Sequence, residues 1–463
     1  MKIISFSRFF TTIFIVFLAS NISKAQAPEL PKIAPLSPEA SSLAKFSEVP
    51  VSYYTGVPNV SIPITTLNGR SISIPVSVSY HAGGHKVSDI ASWVGLGWNL
   101  NVGGQVYRSM NQLPDDFNDG KGFLTTSTTL DVFEGLSNES KNSIIHQATT
   151  VNMVDLAPDE FNFSFLGYSG KFMFNQNRTT AHPYGEIIFF PESDIKVDPV
   201  FDSNKRIIEW IITTNDGNTF YFGENNAIDQ ITDTKSYSTD NLSLPVVGMA
   251  PYTFSYTTAW KLTKIVTDKN DVINFYYSTN NYTQCTPTGE SNIMSWSGAY
   301  SKSSSQTTGS NSVISEIVSA NGKVLFNREV SARQDLSYDY ALDNIIVKDN
   351  FNKQIQKIDF EYGYFQSTVP SQSFYLCSGL ESNTEISKRL RLDKLKFYGD
   401  VSSSNHYDYE LEYNTATLLP HRLSSSQDYW GYYNGASNTT LVPSLFYRET
   451  GQPTYQPEFF YQG

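Results

Sequence analysis

The sequence predicts a mainly all-β protein: successive antiparallel hairpins in stacked sheets, or a β-shell or sandwich-like assembly, with a short helical insertion. Three features predict it. The 29 tyrosines and 30 phenylalanines dominate the aromatic residues, and such rings fit a pleated, half-buried surface better than a helix. Apolar and small polar residues alternate with period two in many short runs, and Asn-Gly or Asp-Gly turns punctuate those runs. A chain of 463 residues, 40% hydrophobic and 17% charged, can bury a sizeable core, which excludes disorder as its main state.

Met1-Lys2 and Arg8 supply a positive start, residues 9–19 are an apolar run, and Ser23-Lys24-Ala25 places small residues where a signal peptidase reads. Residues 1–25 are therefore expected to be a signal peptide cut between Ala25 and Gln26. The mature chain is expected to be secreted or on the cell surface, with the periplasm also open. The apolar run is shorter than the ~20 residues of a membrane span, and no later stretch reaches that length without charges or turn residues. No span is expected after cleavage, and lipid anchoring is not expected either, because the first cysteine is Cys285 and none stands just after the run. Residues 26–45, rich in Pro, Ala, Ser and Glu, read as an extended leader.

Residues 46–223 read as an N-terminal β domain with a Gly/Trp cap and a polar insertion. Residues 60–64 and 71–80 alternate with period two across Leu67-Asn68-Gly69-Arg70, which predicts a hairpin with one buried face. Pro63 and Pro75 cannot donate to a ladder, which places them at an edge or a bulge. Residues 83–104 are dense in glycine and hold two of the six tryptophans. They predict a compact structural cap: Trp93 and Trp98 cover apolar area, while Gly95 and Gly97 permit positive φ and close backbone approach. Residues 111–150 turn polar and read as an insertion, with one or two helical turns within 130–146. Strand signals return at 161–165, 170–174, 187–190 and 207–214, the last leading through Asn215-Asp216-Gly217-Asn218 into 219–223.

Residues 224–463 read as a β-hairpin repeat-like region. A strand, a polar turn and a strand ending in aromatics occur at 260–277, 342–362 and 392–414, with a shorter copy at 313–326. Such repetition predicts hairpins that bury a face only against their neighbours. The Ser/Thr/Gly-rich stretch 282–311 reads as a loop between units.

The balance of 33 Lys+Arg against 45 Asp+Glu gives a net charge of −12, which argues against nucleic acid as a partner. Cys285 and Cys377 form neither a redox pair nor a zinc cluster, and either one disulfide or two buried thiols is consistent with export. His81 and His85 are four apart, but the intervening Ala82-Gly83-Gly84 opposes a helix and no Glu follows the first His. Residues 115–120 read as a solvated acidic turn in preference to a calcium loop, because Phe117 stands where an Asp or Asn is needed and Thr126 where a bidentate Glu is needed. There is no Gly-x-Ser-x-Gly elbow, phosphate loop or dinucleotide fingerprint. No cofactor, no metal site and no catalytic residue is expected, and the chain reads as a non-enzyme. The aromatic groups Tyr53-Tyr54, Tyr276-Tyr277, Tyr429-Trp430 and Tyr432-Tyr433 either fill the core between hairpins or form stacking platforms. Tyr429, Trp430, Tyr432 and Tyr433, bounded by turn glycines, are the candidates for exposure and for glycan or partner binding.

Several blocks carry a family resemblance. Residues 46–63 (FSEVPVSYYTGVPNVSIP), 75–87 (PVSVSYHAGGHKV), 91–100 (ASWVGLGWNL) and 428–435 (DYWGYYNG) resemble the N-terminal region of secreted Bacteroidetes-type Rhs/YD-repeat proteins, related in style to toxin-complex B and C shell proteins. The resemblance covers almost all of the mature chain, and the Trp-Val-Gly-Leu-Gly-Trp block is fairly specific. It implies an exported scaffold module of a toxin-delivery or interbacterial-competition shell, partnered by a downstream YD-repeat segment or another chain. The chain is expected to be truncated before the repeat array, without Tyr-Asp repeats or a C-terminal effector. A cell-surface glycan-binding module, or a truncated fragment without function of its own, are the alternatives.

Overall fold

Period-two alternation becomes strand wherever turn residues bound it, including in polar stretches. The computed structural model describes residues 56–117, 120–150, 154–180, 182–240, 246–248, 255–293, 299–368, 382–399, 405–441, 445–447 and 453–455. The expected signal peptide and leader, the opening motif to residue 55, and Cys377 lie outside the described residues. Strands account for 51% and helices for 7%, with antiparallel sheets, so the all-β expectation holds.

β1 (Asn59–Asn68), β2 (Ser73–His81) and β3 (Trp98–Asn101) form a three-stranded sheet. Pro63 sits on the edge strand beside a bulge. Pro75 lies on β2 outside the stretch that β3 pairs, so neither proline breaks a ladder. The hairpin tip is clipped from two sides: Asn321 Nδ2 donates to Asn68 O and Gly69 O, both at 3.1 Å, and Arg70 N donates to Asp271 at 2.6 Å.

β4 (Gly104–Ser109) precedes an insertion carrying α1 (Leu130–Glu134) and α2 (Asn138–Thr150), followed by β5 (Glu160–Phe165), β6 (Tyr168–Phe174) and β7 (Ile187–Phe189). The 13 residues of α2 exceed the one or two turns expected. No Gly or Pro interrupts them, and Ser137 accepts a cap hydrogen bond from Ser140 N. Next come β8 (Lys196–Phe201), β9 (Ile207–Thr213), β10 (Thr219–Phe222), β11 (Ile228–Asp240) and β12 (Val246–Gly248). β13 (Tyr256–Val266) then opens a meander through β14 (Val272–Ile293), β15 (Ala299–Ser319), β16 (Gly322–Arg328), β17 (Leu342–Asp349) and β18 (Gln354–Gln366). After α3 (Asn383–Ser387), β19 (Lys388–Tyr398) and β20 (His406–Glu410) continue it, and β21 (Leu445–Tyr447) pairs with β22 (Pro453–Tyr455).

The expected hairpins at 260–277, 313–326, 342–362 and 392–414 are the pairs β13–β14, β15–β16, β17–β18 and β19–β20. The expected loop at 282–311 is a correction: β14 and β15 stay paired from Tyr282↔Gly309 out to Ile293↔Ala299. β-branched threonines and ladder bonds sustain strands there without apolar alternation. β11 pairs with both β13 and β15, so β13, β14, β15 and β11 close a ring of strands.

The core lies between the β1–β3 sheet and the large sheet. Ile62, Ile64, Ile74, Val76 and Val78 join Phe161, Phe172, Trp210, Phe220 and Trp260 in one cluster. Trp210 and Trp260 meet edge to face at 5.7 Å between ring centroids, and Phe161 packs on Trp210 at 5.0 Å. Such contacts add specific geometry to a large burial of aromatic surface.

The acidic turn is a second correction, because Asp115 and Asp116 are buried and not solvated. Asp116 lies 2.8 Å from Arg108 Nη2 and accepts Ile207 N at 2.8 Å. Asp115 and Asp159 exchange backbone-to-carboxylate hydrogen bonds of 2.9 and 2.8 Å, and Asp159 lies 3.4 Å from Arg108 Nε. The Arg108 guanidinium also faces the rings of Phe161 and Trp260, 5.3 Å from each centroid. One buried cation thus pins the insertion to β4, β5, β9 and β13.

Burial pushes Asp155 up to about 7 against a backbone bond from Ala157. Burial likewise pushes Asp159 up to about 6 against the pull of Arg108, and raises Asp115 with the help of Asp159's charge. Unfolded, these groups titrate near pH ~4. Their raised folded values mean that the associated stability is full below about pH 4 and is lost as pH rises through about 6–7. Asp155→Asn should therefore be relatively more stable than wild type at about pH 8 and lose that advantage by about pH 4. Urea unfolding at both pH values checks this, and parallel profiles would show that Asp155 titrates normally.

Candidate functional site

Two adjoining features carry the predicted site residues: the cap, and the turn seated on it. In the cap, Ser92 Oγ accepts Val94 N at 3.1 Å and donates to Trp98 O, while Gly95 N donates to Ser92 O at 3.0 Å. Trp98 is buried on β3 with its ring 5.2 Å from that of Tyr80. Its Nε1 donates to Tyr413 Oη at 2.8 Å, and that hydroxyl donates to Leu392 O at 2.7 Å. Trp93 is half-buried, and its carbonyl accepts Leu342 N at 3.0 Å.

Both glycines are required by space as well as by conformation. Gly95 has φ +111°, and a Cβ there would stand 2.9 Å from Leu392 N. Gly97 has φ +77°, and a Cβ would run into His85 and Tyr80. These approaches let Leu96 N reach Leu390 O at 2.8 Å, so the cap is stitched onto β19.

Buried arginines complete the attachment. Arg333 donates to Ala91 O at 3.0 Å and Ser92 O at 3.1 Å, and pairs with Asp335 at 2.7 Å and Asp339 at 2.8 Å. Burial alone would pull its guanidinium down, but Asp335 and Asp339 hold it above its ordinary value. Arg389 Nη2 donates to Val87 O at 2.6 Å. Burial, reinforced by Arg422, pulls Arg389 down to about 10, and burial with Arg389 pushes His421 down to about 4. His81 and His85 do not converge on a site: His85 Nε2 lies 3.0 Å from Tyr80 Oη, and its Nδ1 4.0 Å from Asp89.

The second feature is the turn around Asp428. One carboxylate oxygen of Asp428 accepts both Trp430 N and Tyr432 N at 2.9 Å, and Asp428 N donates to Tyr432 O at 2.8 Å. Gly431, at φ +92°, turns its carbonyl to Val87 N at 2.8 Å. The turn is thereby bolted to the cap. It leaves Tyr429 95% and Trp430 69% exposed, with rings edge to face at 5.8 Å. Tyr432 is at the margin of exposure, and Tyr433 is half-buried. Of the other aromatic groups, Tyr276 is exposed, Tyr277 is half-buried and donates to Leu262 O at 2.8 Å, and Tyr53-Tyr54 lie outside the described residues.

Cys285 is buried and disulfide-bonded. Arg108, Arg333 and Arg389 were not singled out by the sequence reading. Arg108 had a usable signal, since it shares the inward face of β4 with Val106. Arg333 had a weaker one in the Asp at the second position after it.

No family model and no curated protein matches this chain. Among solved structures, the crystal structure of TcdB2-TccC3 aligns with 79% of this chain at 11% identity and a TM-score of 0.39. The N-terminal domain of effector protein SpvB from Salmonella typhimurium strain LT2 aligns with 76% of this chain and 99% of its own at 10% identity and a TM-score of 0.32. The Tc holotoxin pore of Photorhabdus luminescens aligns with 77% of this chain at 11% identity and a TM-score of 0.34. This chain spans 16% of the TcdB2-TccC3 chain and 16% of the holotoxin chain.

Trp98→Ala should cost about 3–5 kcal/mol, as for other buried aromatics. Gly97→Ala should also destabilise, through positive φ and the contact with His85. Urea unfolding checks both, and an unchanged midpoint for either would mean that the cap does not anchor the β stack.

Proposed function

We propose that this chain is an exported, non-enzymatic scaffold module of an Rhs/YD-repeat-like surface or secreted protein, working with a downstream repeat segment or a partner chain. The observation that carries this reading is the use made of buried charge. Arg108 reaches Asp159, Arg333 the Ala91 carbonyl and Arg389 the Val87 carbonyl, each on a segment distant in sequence, which is the work of a frame. The sequence blocks at 75–87, 91–100 and 428–435 support it, because the cap and the turn built from them hold one another through Val87 and Gly431.

A second reading is a glycan-binding module using Tyr429, Trp430, Tyr432 and Tyr433. The exposure of Tyr429 and Trp430 on a hydrogen-bonded turn favours it, since flat rings held in place bind sugar faces at low ordering cost.

Mature protein from Gln26 should run as one species in size exclusion with light scattering and melt in a single cooperative transition. Aggregation or a broad melt would count against a self-sufficient frame. On a glycan array, binding that vanishes in Trp430→Ala with an unchanged melt would establish the second reading, and an array without any binding would remove it.

A further inference from the structure

β14 pairs with β13 only at residues 264–266 of β13, and β4 takes that side at residues 259–261. Where the two strands part there is a cleft of about 840 Å³, lined by the base of the β14–β15 arm, the β3–β4 turn and cap residues 90–93. That volume lies within the range of about 300–1,000 Å³ typical of small-ligand sites.

The charges in the cleft are paired. Lys261 Nζ lies 2.6 Å from Asp229 and donates to Gln105 at 2.8 Å, while Asp229 also accepts Ser312 N at 2.8 Å. Asp339 is held by Arg333 at 2.8 Å and accepts Asn280 Nδ2 at 3.1 Å. Each charged side chain on the lining already has an oppositely charged partner, which leaves no unpaired ion in the cleft to hold a charged ligand. The carboxamides of Asn99 and Gln284 share the lining with the rings of Trp93 and Tyr282 and with the carboxamide oxygen of Asn101, whose Nδ2 already donates to Ser79 Oγ at 2.8 Å.

A carboxamide presents donors and an acceptor on one plane, which matches a hydroxyl that must both give and receive. Ring faces cover the C–H faces of a sugar. An apolar ligand would strip water from the amides without replacing it. An added peptide strand would need open backbone groups where β14 and β4 part, and the Leu262 carbonyl there is already taken by Tyr277 Oη at 2.8 Å. We propose that this cleft binds a short neutral saccharide. None of Tyr429, Trp430, Tyr432 and Tyr433 lines it, so the site is separate from the aromatic turn.

The test titrates the full mature chain with neutral malto-, cello-, xylo-, manno- and chito-oligosaccharides, followed by calorimetry and by tryptophan fluorescence, which Trp93 should report. Saturable binding is expected in wild type and in Trp430→Ala. In the Asn99→Ala/Gln284→Ala double variant it should weaken about tenfold or more, as two neutral hydrogen bonds are lost, with an unchanged melt. If that variant melts early, Asn101→Ala, exposed at the end of β3, should show a weakening in the same direction. Absence of saturable binding to every saccharide overturns the proposal. Binding lost in Trp430→Ala but kept in the cleft variants also overturns it, and moves the sugar to the aromatic turn.

Discussion

An irregular segment can be buried only if the carbonyls it carries inward meet donors. The rest of this structure depends on how that demand is met at residues 87–98. Three of the cap's carbonyls, at Val87, Ala91 and Ser92, face guanidinium groups, and a fourth, at Trp93, takes the backbone N–H of Leu342. Arg333 in turn needs Asp335 and Asp339, and Asp335 also accepts Leu390 N at 2.9 Å. Cap, β19 and the 333–339 segment therefore form one polar unit. Removing one member leaves the others buried without partners, which typically costs more than the net worth of the contact.

The same logic recurs around Arg108 with the signs reversed. There the irregular segment brings carboxylates inward, and one cation on a strand answers them. Asp116 is answered most closely at 2.8 Å and Asp159 more loosely at 3.4 Å. Asp155 relies on backbone donors such as Ala157 N, and burial, helped by the charge of Asp159, makes it retain its proton to about pH 7. The frame is thus strongest where charge is matched by charge, and sensitive to pH where carboxylates are buried more deeply than their partners compensate.

Much of the fold was legible because strand periodicity and turn chemistry are local. Asn68-Gly69 and the alternation on either side of it suffice to specify β1 and β2, and Gly95 and Gly97 declared close approach before any partner was known. Three things were not local. The polar run 282–311 has no apolar period, and its strands form by pairing with each other and with β11. Arg389 lies opposite Leu390 and Leu392 on a strand, so period two assigns it to solvent, whereas Val87 covers that face. The acids at 115 and 116 look solvated until Arg108 is placed beneath them. The exposed pair Tyr429-Trp430 was legible because Gly431 and Asp428 make a turn whatever lies below.

The cap also couples the two candidate binding surfaces to one rigid body. Val87 N holds the aromatic turn through Gly431 O, and residues 90–93 form one wall of the cleft. Between them Asp89 N donates to Lys86 O at 3.2 Å, and Arg389 and Arg333 grip the carbonyls at 87, 91 and 92. A surface already fixed by such bonds loses little conformational entropy when it is occupied. Substitutions beneath the cap should therefore disturb both surfaces together, whereas changes to Trp430 or to Gln284 disturb one alone. Loss of function at both surfaces is the signature of a broken frame, and loss at one is the signature of a binding residue.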